Sequence, residues 1–296
     1  MPTMLYYRGE AEEFPELTPS VMRSSRSAHY PLRNDESELL VDLSTRRPED
    51  FADESSALGQ LMIAQHHGLP TRLLDITRNP LVALFHATAE RRPSGRSSDG
   101  RLHLLAVPRS IVKPYSSHTV RVMANFTKLT RGEQNLLLTK TTDFTDEDHD
   151  HPPLRSPVHA MTPGGYLMRP HYTDYSSAMS RLVQFVRSEN PSFEDRIDPR
   201  DFFRVLVVEP QQSFERIRAQ SGAFLLSAFH ERFDAKVVQW VNDLIPTYHH
   251  YTTIVPRQCK DRIRNQLKNL YITEETMFPG LETATEAVKI QHGGGT

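Results

Sequence analysis

Within the stretch Ala64–Ala87, AQHHGLPTRLLDITRNPLVALFHA, five polar side chains interrupt segments that should lie largely inside: Gln65, His66, Arg72, Asp75 and Thr77. A buried arginine or aspartate needs a partner, so one reading is an Arg72–Asp75 or Arg72–helix-end network that fixes a strand in place. The other is that Arg72, Thr77 and one of the histidines line a pocket where a strand ends and a helix begins. Helix starts favour anions, because their unpaired N–H groups and the helix dipole point outward. Two further residues belong with this set. Arg8 closes the β-prone run Leu5–Tyr7 and precedes Gly9, so it serves either as an ion-pair partner for Glu10, Glu12 and Glu13 or as a ligand-binding group. Gln220 stands just before Gly222 at the entrance of an apolar run. A third cluster, Asp146, Glu147, Asp148, His149, Asp150 and His151, looks superficially metal-like. It has no apolar frame to hold it, and dense charge of that kind reads as solvated chain, so no metal site is expected.

The elements that must position these residues follow from the structure breakers around them. Gly68 can take the left-handed conformation that closes a helix over Glu54–His67, and Pro70 cannot continue it. Thr71–Thr77 suits a buried strand. Asn79–Pro80 is a helix start, asparagine capping free N–H groups and proline losing no bond at the first position, and a helix runs from Pro80 to about Glu90. Upstream, Gly9 permits a turn or a close approach, Leu17–Arg23 is a turn from which Ser20 starts a short helix, and Glu36–Ser44 is helical. The segment TRRPED between these helices reads as polar loop. Downstream, Ala89–Gly100 is an exposed loop and Arg101–Val107 a strand. A helix around Arg131–Thr139 and a turn at Thr162–Gly165 break a weakly patterned middle. Met179–Arg187 is helical, Phe202–Glu209 and Phe224–Phe229 are strands, Lys236–Asp243 is a helix, and Thr252–Val255 is a strand ending at Pro256. Arg257–Leu270 carries Ile263, Leu267 and Leu270 at helical spacing with a basic face outward, and a last helix reaches about Ile290.

The chain has 296 residues, 38% hydrophobic and 24% charged, enough for a sizeable core in one large domain. A formal net charge of −2 argues against a general polyanion binder. The single cysteine, Cys259, excludes an internal disulfide and fits a reducing cytoplasm. No run approaches a membrane span, and MPTMLYYRGE lacks the apolar stretch of a secretion signal, so a cytoplasmic protein with no membrane partner is expected.

Taken in order, Tyr7–Arg8–Gly9, Leu17 to Arg23, Gln65–His66 with Gly68–Asp75, Asn79–Pro80 and Ala83–Leu84 resemble the FRG domain, named for its (Phe/Tyr)-Arg-Gly opening. Ala219–Phe224 and Met277–Leu281 resemble that family's final motifs. Ile76 departs from the pattern, an aromatic being common before Thr77. The resemblance implies a single FRG-type domain over residues 1–291, with an inserted, poorly matched region at about 112–200, and 292–296 as a flexible tail. Such proteins are typical of bacteria and their phages, often near defence or toxin genes.

The order strand–Arg–Gly, strand–Thr–helix and a glutamine at a later strand is also similar to the ADP-ribosyltransferase fold. That similarity implies an α+β fold, a mixed sheet core with flanking helices. It implies Arg8, Thr77 and Gln220 as catalytic residues, and Arg8, Gly9, His66, Arg72 and Asp75 as residues binding NAD, the substrate. No Ser-Thr-Ser motif stands at the expected strand, and the one Glu-x-Glu, Glu10–Ala11–Glu12, lies too close to Arg8 for the third. The implied activity is that of a toxin-like effector transferring ADP-ribose to RNA, DNA or protein, or hydrolysing NAD, with a neutralising antitoxin or chaperone as a further partner. Nicotinamide leaves through an oxocarbenium-like state, so such a site must clamp the pyrophosphate and orient the ribose, and an arginine fork suits a diphosphate. Two alternatives stand beside it: a metal-independent nuclease using His66 or His67 with Arg8 and Arg72, and a non-catalytic module that binds a nucleotide or a partner.

Overall fold

The computed structural model describes residues 3–12, 17–23, 32–89, 98–137, 170–198, 201–202, 204–211, 215–228 and 249–280. A seven-stranded sheet in the order β4-β5-β6-β2-β1-β3-β7 organises them. Its strands are β1 (Thr3–Glu10), β2 (Leu74–Thr77), β3 (Gly100–Pro108), β4 (Val112–Pro114), β5 (Leu206–Glu209), β6 (Gly222–Leu226) and β7 (His249–Val255). The β4–β5 pair is parallel and the other pairs are antiparallel, so the fold is α+β with a mixed sheet and flanking helices.

The pairing is uneven in a way that matters for the site. β1 and β3 are in register over the whole run from Thr3↔Pro108 to Glu10↔Arg101, whereas β1 and β2 share the single pair Tyr7↔Thr77. Among the described residues the sheet is thus two halves, β4-β5-β6-β2 and β1-β3-β7, joined by one rung.

Both faces carry helices. Successive strand residues point to opposite sides, and on one side Tyr6, Leu105, Val107, Leu74 and Ile76 enter the main core with Leu58, Leu61 and Met62 of α3 (Ala57–His66) and Val120 and Met123 of α5 (His118–Asn125). α1 (Glu36–Arg46) adds Leu40 to this core. On the other side α4 (Pro80–Ala87) lies directly on β1. A Cβ built on Gly9 would sit 1.7 Å from the Ala83 carbonyl oxygen, so the glycine is there to let helix and strand backbones touch. Val82 and Phe85 of α4 pack with Leu267 of the later helix Lys260–Asn269 and with Met277. A satellite core gathers Phe126, Leu129, Tyr175, Leu182, Val186 and Phe202 around the long helix Pro170–Glu189.

The local punctuation works as expected. Asn79 Oδ1 accepts from the Leu81 N–H at 3.0 Å with Pro80 first in the helix, Ser56 caps α3, and Gly68 takes φ +85°. A helical run at 131–137 and the short helix Ser20–Met22 lie where expected. Several boundaries differ. The segment TRRPED is not all loop: Pro48 at the first helical position, with Glu49 and Asp50 in the first turn, starts the short helix α2, Pro48–Phe51. The strand expected over Thr71–Thr77 begins only at Leu74, because Thr71 pairs elsewhere, its carbonyl accepting from Val21 N at 3.2 Å and its N–H donating to Ser20 Oγ at 3.0 Å. β5 starts at Leu206, β6 runs Gly222–Leu226, and β7 starts at His249. Arg8 lies within β1 rather than at its end, since β3 pairs it as far as Glu10. The acidic run 144–153, the turn at 162–165, the helix over 236–243, the last helix, the 292–296 tail and most of the 89–100 loop lie outside the described residues. No described helix is long and apolar enough to cross a membrane.

Candidate functional site

A cavity of about 280 Å³ opens where β1 and β2 part. It takes lining residues from both faces of the sheet, Met62, Gln65 and His66 from α3 on one side and Val82 and His86 from α4 on the other. Between them Arg8, Asp75, Thr77 and Gln220 come to its wall, with Gly9 behind Arg8 and Arg216 arriving from the short helix Glu215–Ala219 before β6. Residues from four distant stretches of chain therefore converge on one hollow.

Arg8 is held on two edges. Its Nε donates to Glu10 Oε1 at 2.9 Å, and its Nη1 crosses the gap to the backbone carbonyl of Asp75 at 2.7 Å. Glu10 in turn meets His103 Nε2 at 3.2 Å, and His103 Nδ1 lies 2.9 Å from His250 Nε2. Burial pushes the Glu10 carboxyl up, but the His103 hydrogen bond and the charge and hydrogen bond of Arg8 outweigh it and hold the group below its ordinary value. Glu10 is thus an anion that fixes the guanidinium.

Asp75 presents its carboxylate to the same cavity. Oδ2 accepts from Gln65 Nε2 at 2.8 Å, and Gln65 Oε1 accepts from the Thr71 hydroxyl at 2.6 Å, which leaves the glutamine only one orientation. His86 lies near this carboxylate. Burial is the leading cause that pushes its pKa down, reinforced by the charges of Arg216 and Arg8 and opposed by Asp75 and by a hydrogen bond with Gln220. His66 is pushed down as well, by burial first and then by Arg216 and His67. Both imidazoles are therefore neutral near pH 7.

Thr77 and Gln220 are at the wall, but their polar atoms are engaged. The Thr77 hydroxyl donates to the Gln220 carbonyl at 2.6 Å and accepts from Asn79 N at 3.0 Å. Gln220 Nε2 donates to the Met277 carbonyl at 2.8 Å. These groups tie β2, β6 and the helix Glu274–Met277 together and shape the floor of the cavity.

Arg72 stands apart. It is fully buried, and the expected Asp75 partnership does not form, because Asp75 is exposed on the far side of β2. Its Nε donates to Glu36 Oε1 at 2.9 Å, its Nη2 also meets Glu36, and its Nη1 donates to the Ala228 carbonyl at 2.8 Å. Arg72 does not line the cavity, and neither does His67.

Among the lining residues outside the expected site, Gln65, His86 and Arg216 bring groups that can hydrogen-bond or carry charge. Gln65 stood out as a polar residue on an apolar helix. His86 could have been found by helical spacing, since Val82 and His86 are four apart and share a face of α4. Arg216 stands likewise four before Gln220. Among the described residues, no group of three or more His, Cys, Asp or Glu could hold a metal ion.

Residues 3–96 match the family model of the FRG domain. The match covers β1 through α4 and so contains Arg8, Gly9, Gln65, His66, Asp75, Thr77 and His86, whereas Arg216 and Gln220 lie beyond it. Neither the curated proteins nor the solved structures yield a match to the chain.

Proposed function

From an FRG domain at residues 3–96 as premise, we propose that the cavity between β1 and β2 binds NAD and that the protein breaks its bond to nicotinamide, in the manner of an ADP-ribosyltransferase. The carrying observation is the placement of Arg8, locked by Glu10 and the Asp75 carbonyl, in one hollow with Asp75, His86, Arg216 and Gln220. Two guanidinium groups suit a diphosphate, and a cavity of about 280 Å³ encloses one half of a dinucleotide rather than the whole. An ADP-ribosyltransferase-like fold is part of this reading, supported by the split between the sheet halves and the placement of the cavity in it. A toxin-like effector with a nucleic-acid or protein acceptor is the biological role that fits.

The test is nicotinamide release from NAD by the purified protein, alone and with RNA, DNA or protein added. Release is expected in the wild type, with loss in Arg8→Ala and a residue of activity in Arg8→Lys, both checked by melting temperature. Absence of both release and an NAD-dependent rise in melting temperature overturns the proposal.

One observation favours a second reading. His66 and His86, both neutral, line the same cavity as Arg8 and Arg216, a set suited to acid–base cleavage of a phosphodiester without metal. That reading requires RNA or DNA cleavage without NAD, lost in His86→Ala.

A further inference from the structure

The geometry points to Asp75 as the catalytic carboxylate of this site, the group that stabilises the cationic ribose carbon and takes the proton of the attacking nucleophile. The inference rests on the NAD reading above. Thr77 and Gln220, two of the three residues expected to do chemistry, are engaged within the protein: the Thr77 hydroxyl is held by backbone partners, and the Gln220 side chain donates to the Met277 carbonyl and hydrogen-bonds His86. Asp75 differs from both. One carboxylate oxygen, Oδ2, is anchored by Gln65, and among the described residues no partner holds Oδ1. The side chain is exposed on a cavity wall, so Oδ1 can meet a substrate. Gln65 is a positioning residue, itself oriented by the Thr71 hydroxyl. A carboxylate held in advance where positive charge develops needs no rearrangement during the reaction.

The step balances as follows. The bond between ribose C1′ and the nicotinamide nitrogen breaks, its electron pair leaving with neutral nicotinamide. C1′ becomes cationic and is stabilised by Oδ1. A water or acceptor hydroxyl bonds to C1′, and its proton passes to Asp75, which later releases it to solvent. No oxidant or metal is needed. His86, held neutral beside Asp75, leaves the carboxylate free of a permanent counter-ion on that side.

The experiment compares wild type, Asp75→Asn, Gln65→Met and Gln65→Glu for nicotinamide release and for the rise in melting temperature on adding NAD. Asp75→Asn is expected to keep the NAD-dependent rise and lose release by about 100-fold or more. Gln65→Met is expected to lower kcat while leaving KM nearly unchanged, and Gln65→Glu, a like charge beside the carboxylate, to lower it further and move the acid limb of the pH profile upward. Release by Asp75→Asn at the wild-type rate overturns the assignment while leaving NAD cleavage in place. A wild type that neither binds NAD nor releases nicotinamide overturns the assignment together with the reading beneath it.

Discussion

Arg72 and Glu36 face each other inside the core as a paired fork, both fully or almost fully buried, with the remaining guanidinium edge donating to the Ala228 carbonyl at 2.8 Å. The arginine ring of charge also lies 5.3 Å over the Phe126 ring. Removing one partner leaves the other charge buried and unpaired, which costs about 3–5 kcal/mol, whereas replacing both by apolar residues can be neutral or better. Glu36→Gln and Arg72→Met are each expected to lower stability by that amount in urea unfolding. The pair Glu36→Leu with Arg72→Met should recover most of the loss. A double variant that folds but loses NAD binding would return Arg72 to the site.

Gly9 fixes how closely α4 sits on β1. A methyl group there would lie 1.7 Å from the Ala83 carbonyl oxygen and 2.7 Å from Ala87 N, both backbone atoms that cannot swing away. Gly9→Ala must push the helix off the strand, at a cost of about 3 kcal/mol or more. Because α4 carries His86 into the cavity, NAD binding should weaken in the same variant. A melting temperature equal to that of the wild type would contradict this packing.

Thr77 serves the fold through its hydroxyl. Thr77→Val removes the donor to the Gln220 carbonyl and the acceptor for Asn79 N, leaving two half-buried groups short of a partner, for a loss of about 1 kcal/mol. Thr77→Ser keeps both bonds and should unfold close to the wild type. In nicotinamide release, assayed well below its lowered melting temperature, Thr77→Val is expected to stay within a few fold of the wild type, which separates a structural hydroxyl from a reacting one.

The pH dependence of stability has a stated sign. Burial, with Arg216 and Arg8 behind it, pushes the His86 pKa below its ordinary value against the pull of Asp75 and Gln220. The unfolded chain therefore binds the proton more readily than the folded one. This contribution to stability is whole above the ordinary histidine pKa of about 6.5 and is lost as pH falls through the lower folded value. His86→Phe removes the titration and keeps a ring against Phe85 and Phe278, which the imidazole now meets edge-on at 5.6 and 6.0 Å. Its urea midpoint should fall less than that of the wild type between about pH 7.5 and about pH 5.5. An equal fall in both proteins would exclude His86 as a contributor, leaving His66, which is shifted in the same direction.

What could be read from the chain alone follows the range of the forces involved. The caps at Asn79 and Ser56 and the left-handed Gly68 act within a few residues, and the same few residues announce them. Arg8 and Gln220 were legible as candidates because each is a polar group beside a glycine at a strand. Arg72 was not placed, because its partner Glu36 lies on a helix far upstream and no local pattern distinguishes that carboxylate from Asp75. The start of β2 was missed for a similar reason: Ser20 and Val21 take the backbone of Thr71 away from the sheet. His86 was hidden in a run whose apolar content already explained the helix.

Among the described residues the strands of the two half-sheets share one rung, Tyr7↔Thr77, and the reach of Arg8 to the Asp75 carbonyl is a side-chain tie added across the same seam. The guanidinium that would greet a diphosphate is thus already a stitch in the protein's own fabric. Occupancy and stiffness become one variable: a guest that borrows Arg8 must replace the stitch it loosens, and the amides flanking that seam should register its arrival in their rate of hydrogen exchange.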